Sequence, residues 1–273
     1  MPDQDRAADT IVVDEHLERP SPEPRVLVTN DDGIDSPGIR RLAARLAKDF
    51  EVLVVAPRAD MSGSGTALGR VDPHAGVELR ETTVDGVPAA YTVDGPPGLA
   101  VLAAALGAFG RRPDIVVSGV NAGINTGHSV VHSGTVGAAI TARTLGSHGL
   151  AVSLVESDPW HWDTAVDIAR AVVEWILGSG MPRGVVNLNA PALPAQDVRG
   201  LKWADLDAFG HLQVAVADVP GANLGFEVRG SSSGLDPASD TALCLGGFAT
   251  LTLLSLEPRP FPQTRAEDIW SPP

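Results

Sequence analysis

Short apolar runs recur along this chain, separated by polar turns and by stretches whose apolar positions fall three and four residues apart. Runs of the first kind read as strands buried on both faces, the second as amphipathic helices, so their alternation predicts β-α-β units. Arg25–Thr29 is the first strand. After Pro37-Gly38 a helix carries Ile39, Leu42, Ala43 and Leu46 on one face, and the run at 52–55 forms a second strand that ends at Ala56-Pro57. Such a unit joins parallel strands through a right-handed crossover. Further strands are expected at 114–117, 150–154 and 185–188, with helices at 99–106, 137–145 and 164–177. Residues 77–83 and 90–93 flank Asp85-Gly86 and read as a hairpin or small side excursion.

From about residue 196 the strands become short and glycines frequent, with the loop Gly230-Ser-Ser-Ser-Gly234. Alternation at 212–216 and 226–228 predicts an extended β arm, a feature suited to self-association. Ala249–Leu254 then restores a clear strand that can rejoin the main sheet. The expected fold class is therefore α/β: a Rossmann-like, mostly parallel sheet with helices on both faces, plus a C-terminal β-hairpin arm. The expected boundaries are a flexible leader at 1–24, a catalytic domain at 25–195, the arm and returning strand at 196–258, and a Pro-rich tail at 259–273.

Composition narrows the function classes. The 273 residues are 44% hydrophobic, enough for one large α/β domain. A net charge of −14 argues against a nucleic-acid polymer or an anionic membrane as the main partner. An anionic substrate would need a locally positive site, supplied by a metal ion, a helix N-terminus or a few basic side chains. Cys244 is the single cysteine, which excludes an intrachain disulfide or a thiolate metal cluster and fits a reducing, cytoplasmic setting. The N-terminal residues lack the pattern of a secretory signal, and no apolar run approaches the length of a membrane span.

The candidate chemistry begins at Asn30-Asp31-Asp32-Gly33, directly after the first strand. In open parallel sheets ligands collect outside the carboxyl ends of the strands. Two adjacent carboxylates held there repel each other, and an oxygen-seeking divalent ion such as Mg²⁺ or Mn²⁺ neutralises them. The plain alternative is a turn in which Asn30 and Asp31 cap and Gly33 supplies a positive φ. Two further loops, Met61-Ser62-Gly63-Ser64-Gly65 and Ser118-Gly119-Val120-Asn121-Ala122-Gly123, also follow predicted strands and can converge on the same crevice. Two carboxylates, a hydroxyl and an amide oxygen make an all-oxygen ligand set for a hard cation. A fourth segment, His132-Ser133-Gly134-Thr135-Val136-Gly137-Ala138-Ala139, passes from a turn into a helix. Its free N–H groups can cradle a phosphate, or Ser133 or Thr135 can cap the helix.

Together these motifs, with Ser36-Pro37-Gly38-Ile39 and Ala56-Pro57, resemble the SurE survival-protein family over about residues 25–191, with a weaker echo at Ser239-Asp240-Thr241. The resemblance implies a metal-dependent phosphatase of nucleoside monophosphates, with one Mg²⁺ or Mn²⁺ per subunit. It places the metal ligands on Asp31, Asp32, Ser62 and Asn121, with Asp31 and Asp32 also the catalytic pair, acting as general base or nucleophile. Phosphate and substrate contacts fall on Asn30, Asn121, His132, Ser133, Gly134 and Thr135. It also implies a homodimer or homotetramer. The chain departs from the family at Gly95-Pro96-Pro97-Gly98-Leu99-Ala100, where members commonly carry a hydroxyl and a carboxylate. It departs again at His128 and His132, where bacterial members often have an acidic residue and a tyrosine. The departure at 95–100 raises the alternative of a pathway-specific phosphatase for a modified nucleoside phosphate, and a rival of another class is a non-catalytic nucleotide- or phosphate-binding protein that keeps the crevice. A dinucleotide oxidoreductase is a poorer reading still, because Asn-Asp-Asp-Gly and not Gly-x-Gly-x-x-Gly follows the first strand.

Overall fold

The computed structural model describes residues 23–70, 76–208, 212–217, 225–230 and 234–255, and for 212–217 and 225–230 their strand pairing alone. Nearly all of the expected leader, the tip of the arm and the C-terminal tail lie outside the described residues.

The apolar runs become the inner strands of a nine-stranded sheet. β1 (Arg25–Thr29) lies between β2 (Glu51–Pro57) and β5 (Ile115–Ala122), parallel to both. Beyond β5 follow β6 (His148–Leu154) and β7 (Val185–Ala190), again parallel. Because side chains alternate across a strand, each run feeds two cores at once. Val26, Val28, Val52, Val54, Ile115 and Val117 pack on one face; Leu27, Leu53, Val55 and Val116 pack on the other. Each such side chain contributes about 1.5–3 kcal/mol of transfer free energy, which is why no polar residue interrupts the runs at 26–28, 52–55 and 115–117.

The first face is covered by α1 (Pro37–Leu46) and α4 (Trp162–Gly178), the second by α2 (Pro97–Ala105) and α3 (Gly134–Thr144). α1 buries the predicted stripe of Ile39, Leu42, Ala43 and Leu46. Its polar side meets α4 through Arg45, which bonds Asp49 at 2.9 Å and Asp167 at 3.1 Å, while Arg170 reaches Asp49 at 2.9 Å.

Several elements differ from expectation. β3 (Leu79–Thr82) and β4 (Ala89–Val93) do form an antiparallel hairpin, but β4 pairs parallel with β2, so the hairpin is one edge of the main sheet. β5 runs through Ala122, well past residue 117, with its pairing to β6 shifted between Ser118 and Asn121. Gly119 and Asn121 are poor strand formers, and pairing with β6 overrides that local preference. The opposite edge is completed by β11 (Ala249–Leu254), antiparallel to β7, and β8 (Leu201–Trp203). β9 (Leu212–Ala217) and β10 (Gly225–Gly230) pair antiparallel with each other in a two-stranded sheet, at the position of the predicted arm.

Candidate active site

The first crossover from β1 leads outward to β2, while β5 enters on β1's other side, so the sheet order reverses between β1 and β5. A crevice opens where neighbouring loops diverge in this way. Asn30, Asp31 and Asp32 leave the end of β1 there, and Asn121 lies at the end of β5.

Asp31 is only 3% exposed, and its carboxylate accepts from the Thr135 hydroxyl. The same hydroxyl lies 3.3 Å from the Asn121 amide oxygen, which links β1, β5 and α3 in one place. Burial pushes the Asp31 carboxyl above its ordinary range, against the Thr135 hydroxyl and N–H and with the negative charge of Asp60 adding to the rise. Asp32 is pushed up to about 6, first by burial, then by the charges of Asp31 and Asp60. One of its oxygens, Oδ2, is buried without a hydrogen-bond partner. The site thus holds two carboxylates whose ionisation the protein alone disfavours, one with an unsatisfied oxygen, and both features suit a cation.

Gly134 is required for this approach. A Cβ there would stand 2.7 Å from Asp31 Oδ2 and 2.5 Å from Ser64 Oγ, inside van der Waals distance.

Among the described residues no group of three or more His, Cys, Asp or Glu side chains is placed to hold a metal. A hard cation would therefore depend on neutral oxygens beside the two aspartates, as the sequence predicts. Asn121 meets that need, since its Oδ1 lies within reach of the Thr135 hydroxyl that bonds Asp31. Ser62 is less direct. The Met61 N–H donates to the Asp31 carbonyl at 2.7 Å, anchoring the loop, but Ser62 is exposed and its hydroxyl donates to Asp60 Oδ1 at 2.6 Å.

Asn30 is fully buried, and its Nδ2 donates to the Gly33 carbonyl at 3.0 Å and to Ser36 Oγ at 2.9 Å, bracing the turn into α1. The Ser133 hydroxyl accepts from the Val136 N–H at 3.2 Å, the capping alternative. Protein groups thus engage part of the α3 start. His132 is exposed beside the site, and its carbonyl accepts from the Gly65 N–H at 3.2 Å; His128 is also exposed. Arg58 pairs loosely with Asp94 at 3.8 Å. Trp160 and Trp162 stack on each other and pack against the core. Cys244 is buried, and burial drives its thiol upward.

Three contributors were not singled out from sequence. Asp60 acts on both aspartates and holds Ser62, and an Asp two residues before a Ser at a strand end is a local signal for such a turn. Ser64 carries a buried, unpartnered hydroxyl facing Gly134, and nothing in its local sequence marks it. The 3-10 helix Gly127–His132 ahead of α3 has no periodic signature.

Comparison with known proteins places the same segments in a family. The family model "Survival protein SurE" matches residues 26–209. The chain is 36% identical over 241 residues to the 5'-nucleotidase SurE of Pseudomonas entomophila, covering 85% of this chain and 92% of that protein. It is 43% identical over 175 residues to the 5'-nucleotidase SurE of Nitrosococcus oceani, covering 64% and 67%. The crystal structure of the SurE protein from Aquifex aeolicus superposes with a TM-score of 0.73 at 29% identity, covering 86% of this chain and 94% of that one.

Proposed function

This chain belongs to the SurE survival-protein family, and from that premise we propose that it is a divalent-metal-dependent phosphomonoesterase acting on nucleoside 5'-monophosphates. The observation that carries the reading is the pair of buried Asp31 and half-buried Asp32 at the switch point, with an unsatisfied Asp32 oxygen and the start of α3 beside it.

Asp31, Asp32 and Asn121 would hold the ion, with Ser62 joining after release from Asp60; the donor set, all oxygen, fits Mg²⁺ or Mn²⁺. A bound ion would supply positive charge against the phosphoryl oxygens of the substrate and of the transition state. Thr135 keeps Asp31 oriented, and Gly134 lets the α3 start, whose dipole favours an anion, lie directly against Asp31 and Ser64. Asp32, the more exposed of the two carboxylates, accepts the proton of the attacking water as general base. The exposed imidazole of His132 stands ready to contact the phosphate or return a proton to the leaving alkoxide.

A second reading, a pathway-specific phosphatase, is favoured by one segment. Gly95-Pro96-Pro97-Gly98 enters α2 without a side-chain hydroxyl or carboxylate, and Gly98 packs so closely on the Ala67 carbonyl that a Cβ would lie 2.7 Å from it. We further propose a cytoplasmic homodimer or homotetramer built through the β9–β10 arm; none of the described helices is long and apolar enough to cross a membrane.

The test is phosphate release after chelation and readdition of Mg²⁺ or Mn²⁺, across nucleoside monophosphates, sugar phosphates and polyphosphate. Metal-restored release from nucleoside monophosphates is expected. Release confined to one modified substrate would favour the pathway-specific reading, and none from any compound would overturn the enzyme assignment.

A further inference from the structure

Asp240 is completely buried and lies at the start of α5 (Asp240–Leu245). Its Oδ2 accepts from the Gly127 N–H at 3.0 Å. Its Oδ1 accepts from the Asp207 N–H at 2.9 Å and from the Thr241 N–H at 2.8 Å, with the Thr241 hydroxyl at 3.3 Å. Two of these donors are distant in sequence and belong to different functional parts. Gly127 opens the 3-10 helix that runs to His132 and delivers Ser133-Gly134-Thr135 to Asp31. Asp207 lies just ahead of the β9–β10 arm.

The two parts are also tied directly. The His128 N–H donates to the Asp207 carbonyl at 3.0 Å, and the Asp240 N–H donates to the Asp205 carbonyl at 2.9 Å. Leu206 packs on the small core of Val130, Val136 and Ala139 beneath the same loop. A buried carboxylate is costly unless its lone pairs are filled, so three backbone donors converging on one such group act together: losing one leaves charge in an apolar setting. Gly127 has φ +62°, a left-handed conformation open to glycine without strain, and its N–H is aimed from there at the Asp240 carboxylate.

We infer that Asp240 is a positioning residue for the phosphomonoesterase site, a latch that sets the 127–135 loop and couples it to the base of the arm. The inference rests on the proposed function for its catalytic consequence only. Through the latch, a change in how the arm is seated reaches the Gly134–Thr135 end of the loop and alters the fit of the phosphate.

Asp240→Asn tests this selectively. The amide oxygen can keep Oδ1's two backbone donors, while its NH₂ faces the Gly127 N–H and cannot accept from it. Amide hydrogen exchange read residue by residue is expected to show protection at Gly127 and His128 falling roughly tenfold or more, with β1 and β5 unchanged. Metal-dependent phosphate release from adenosine 5'-monophosphate should show a kcat/KM lower by about 10- to 100-fold, the scale of a small misplacement. Ser239→Ala removes the α5 cap, the bond from Ala242 N–H at 3.2 Å, and leaves the Asp240 carboxylate in place. It is expected to change neither readout. Unchanged protection at Gly127, an equal loss in Ser239→Ala, or a loosened loop with full kcat/KM would overturn the latch. In the unmutated protein Gly127, Asp207 and Thr241 amides should exchange with one shared opening rate, and unrelated rates would overturn it without any variant. Should the unmutated protein release no phosphate, the enzyme assignment fails while the exchange data still decide the latch.

Discussion

Replacing Asp32 by Asn is expected to stabilise the metal-free protein and abolish its metal-dependent turnover, two effects of opposite sign from one carboxylate. The carboxyl lies at about 6 against an ordinary 3.8, driven up by burial and then by Asp31 and Asp60. At ~1.4 kcal/mol per pH unit this rise corresponds to ~3 kcal/mol for a fully enclosed group. Asp32 is only partly buried, and solvent screening reduces the figure to roughly 1–2 kcal/mol. Because the folded pKa is raised, folding favours the protonated form. That contribution is fully present below 3.8 and lost as pH rises through about 6. At neutral pH the chelated wild type carries the whole penalty and the variant none, so the variant's Tm should be higher by roughly 2–8 °C. The gap should close as pH falls toward the ordinary carboxylate range. Taking the difference between the two proteins cancels His148, whose pKa is lowered, by burial first and then by Arg183 and Arg143, and whose effect on stability has the opposite slope in an overlapping window. Added Mg²⁺ or Mn²⁺ should reverse the ranking. The wild type gains about 2.7 kcal/mol at a hundredfold excess over Kd, and the variant gains little. Thermal unfolding with and without chelator, paired with phosphate release, provides the assay. A variant less stable than wild type in chelator at neutral pH, or one that keeps metal-dependent turnover, would refute the reasoning.

Gly134→Ala should put a methyl against Asp31 and Ser64, cost about 1–3 kcal/mol by overpacking and cut turnover by roughly 100-fold, seen in paired unfolding and kinetic measurements; near-normal kinetics would mean the approach is not critical. Ser133→Ala should cost about 1 kcal/mol through the lost α3 cap while leaving KM unchanged, and a several-fold rise in KM would instead give that hydroxyl to the phosphate. Deleting the β9–β10 hairpin should convert a dimer or tetramer to a monomer in light scattering, and an unchanged mass would place the interface elsewhere.

What the chain makes legible is what depends on near neighbours. The runs at β1, β2, β6 and β7 announce themselves because strands covered on both faces need mostly apolar side chains, and the α1 stripe because one helix face meets the sheet. Asp31 and Asp32 stand out because polar residues right after such a run must lie at a strand end. The motif pattern even carries the family. The tertiary structure alone decides the rest. β5 continues through Gly119 and Asn121 because β6 offers it partners, which no local propensity contains. Ser133 caps α3, and Asp60 and Ser64 join the site, through loops that meet only after the sheet has formed. The Asp240 bond to Gly127 spans 113 residues, and its existence depends on burial that the whole fold creates. Hydrophobic periodicity is written locally along the chain, whereas the environment that shifts a carboxyl or satisfies a buried oxygen is assembled from segments that are adjacent only in space.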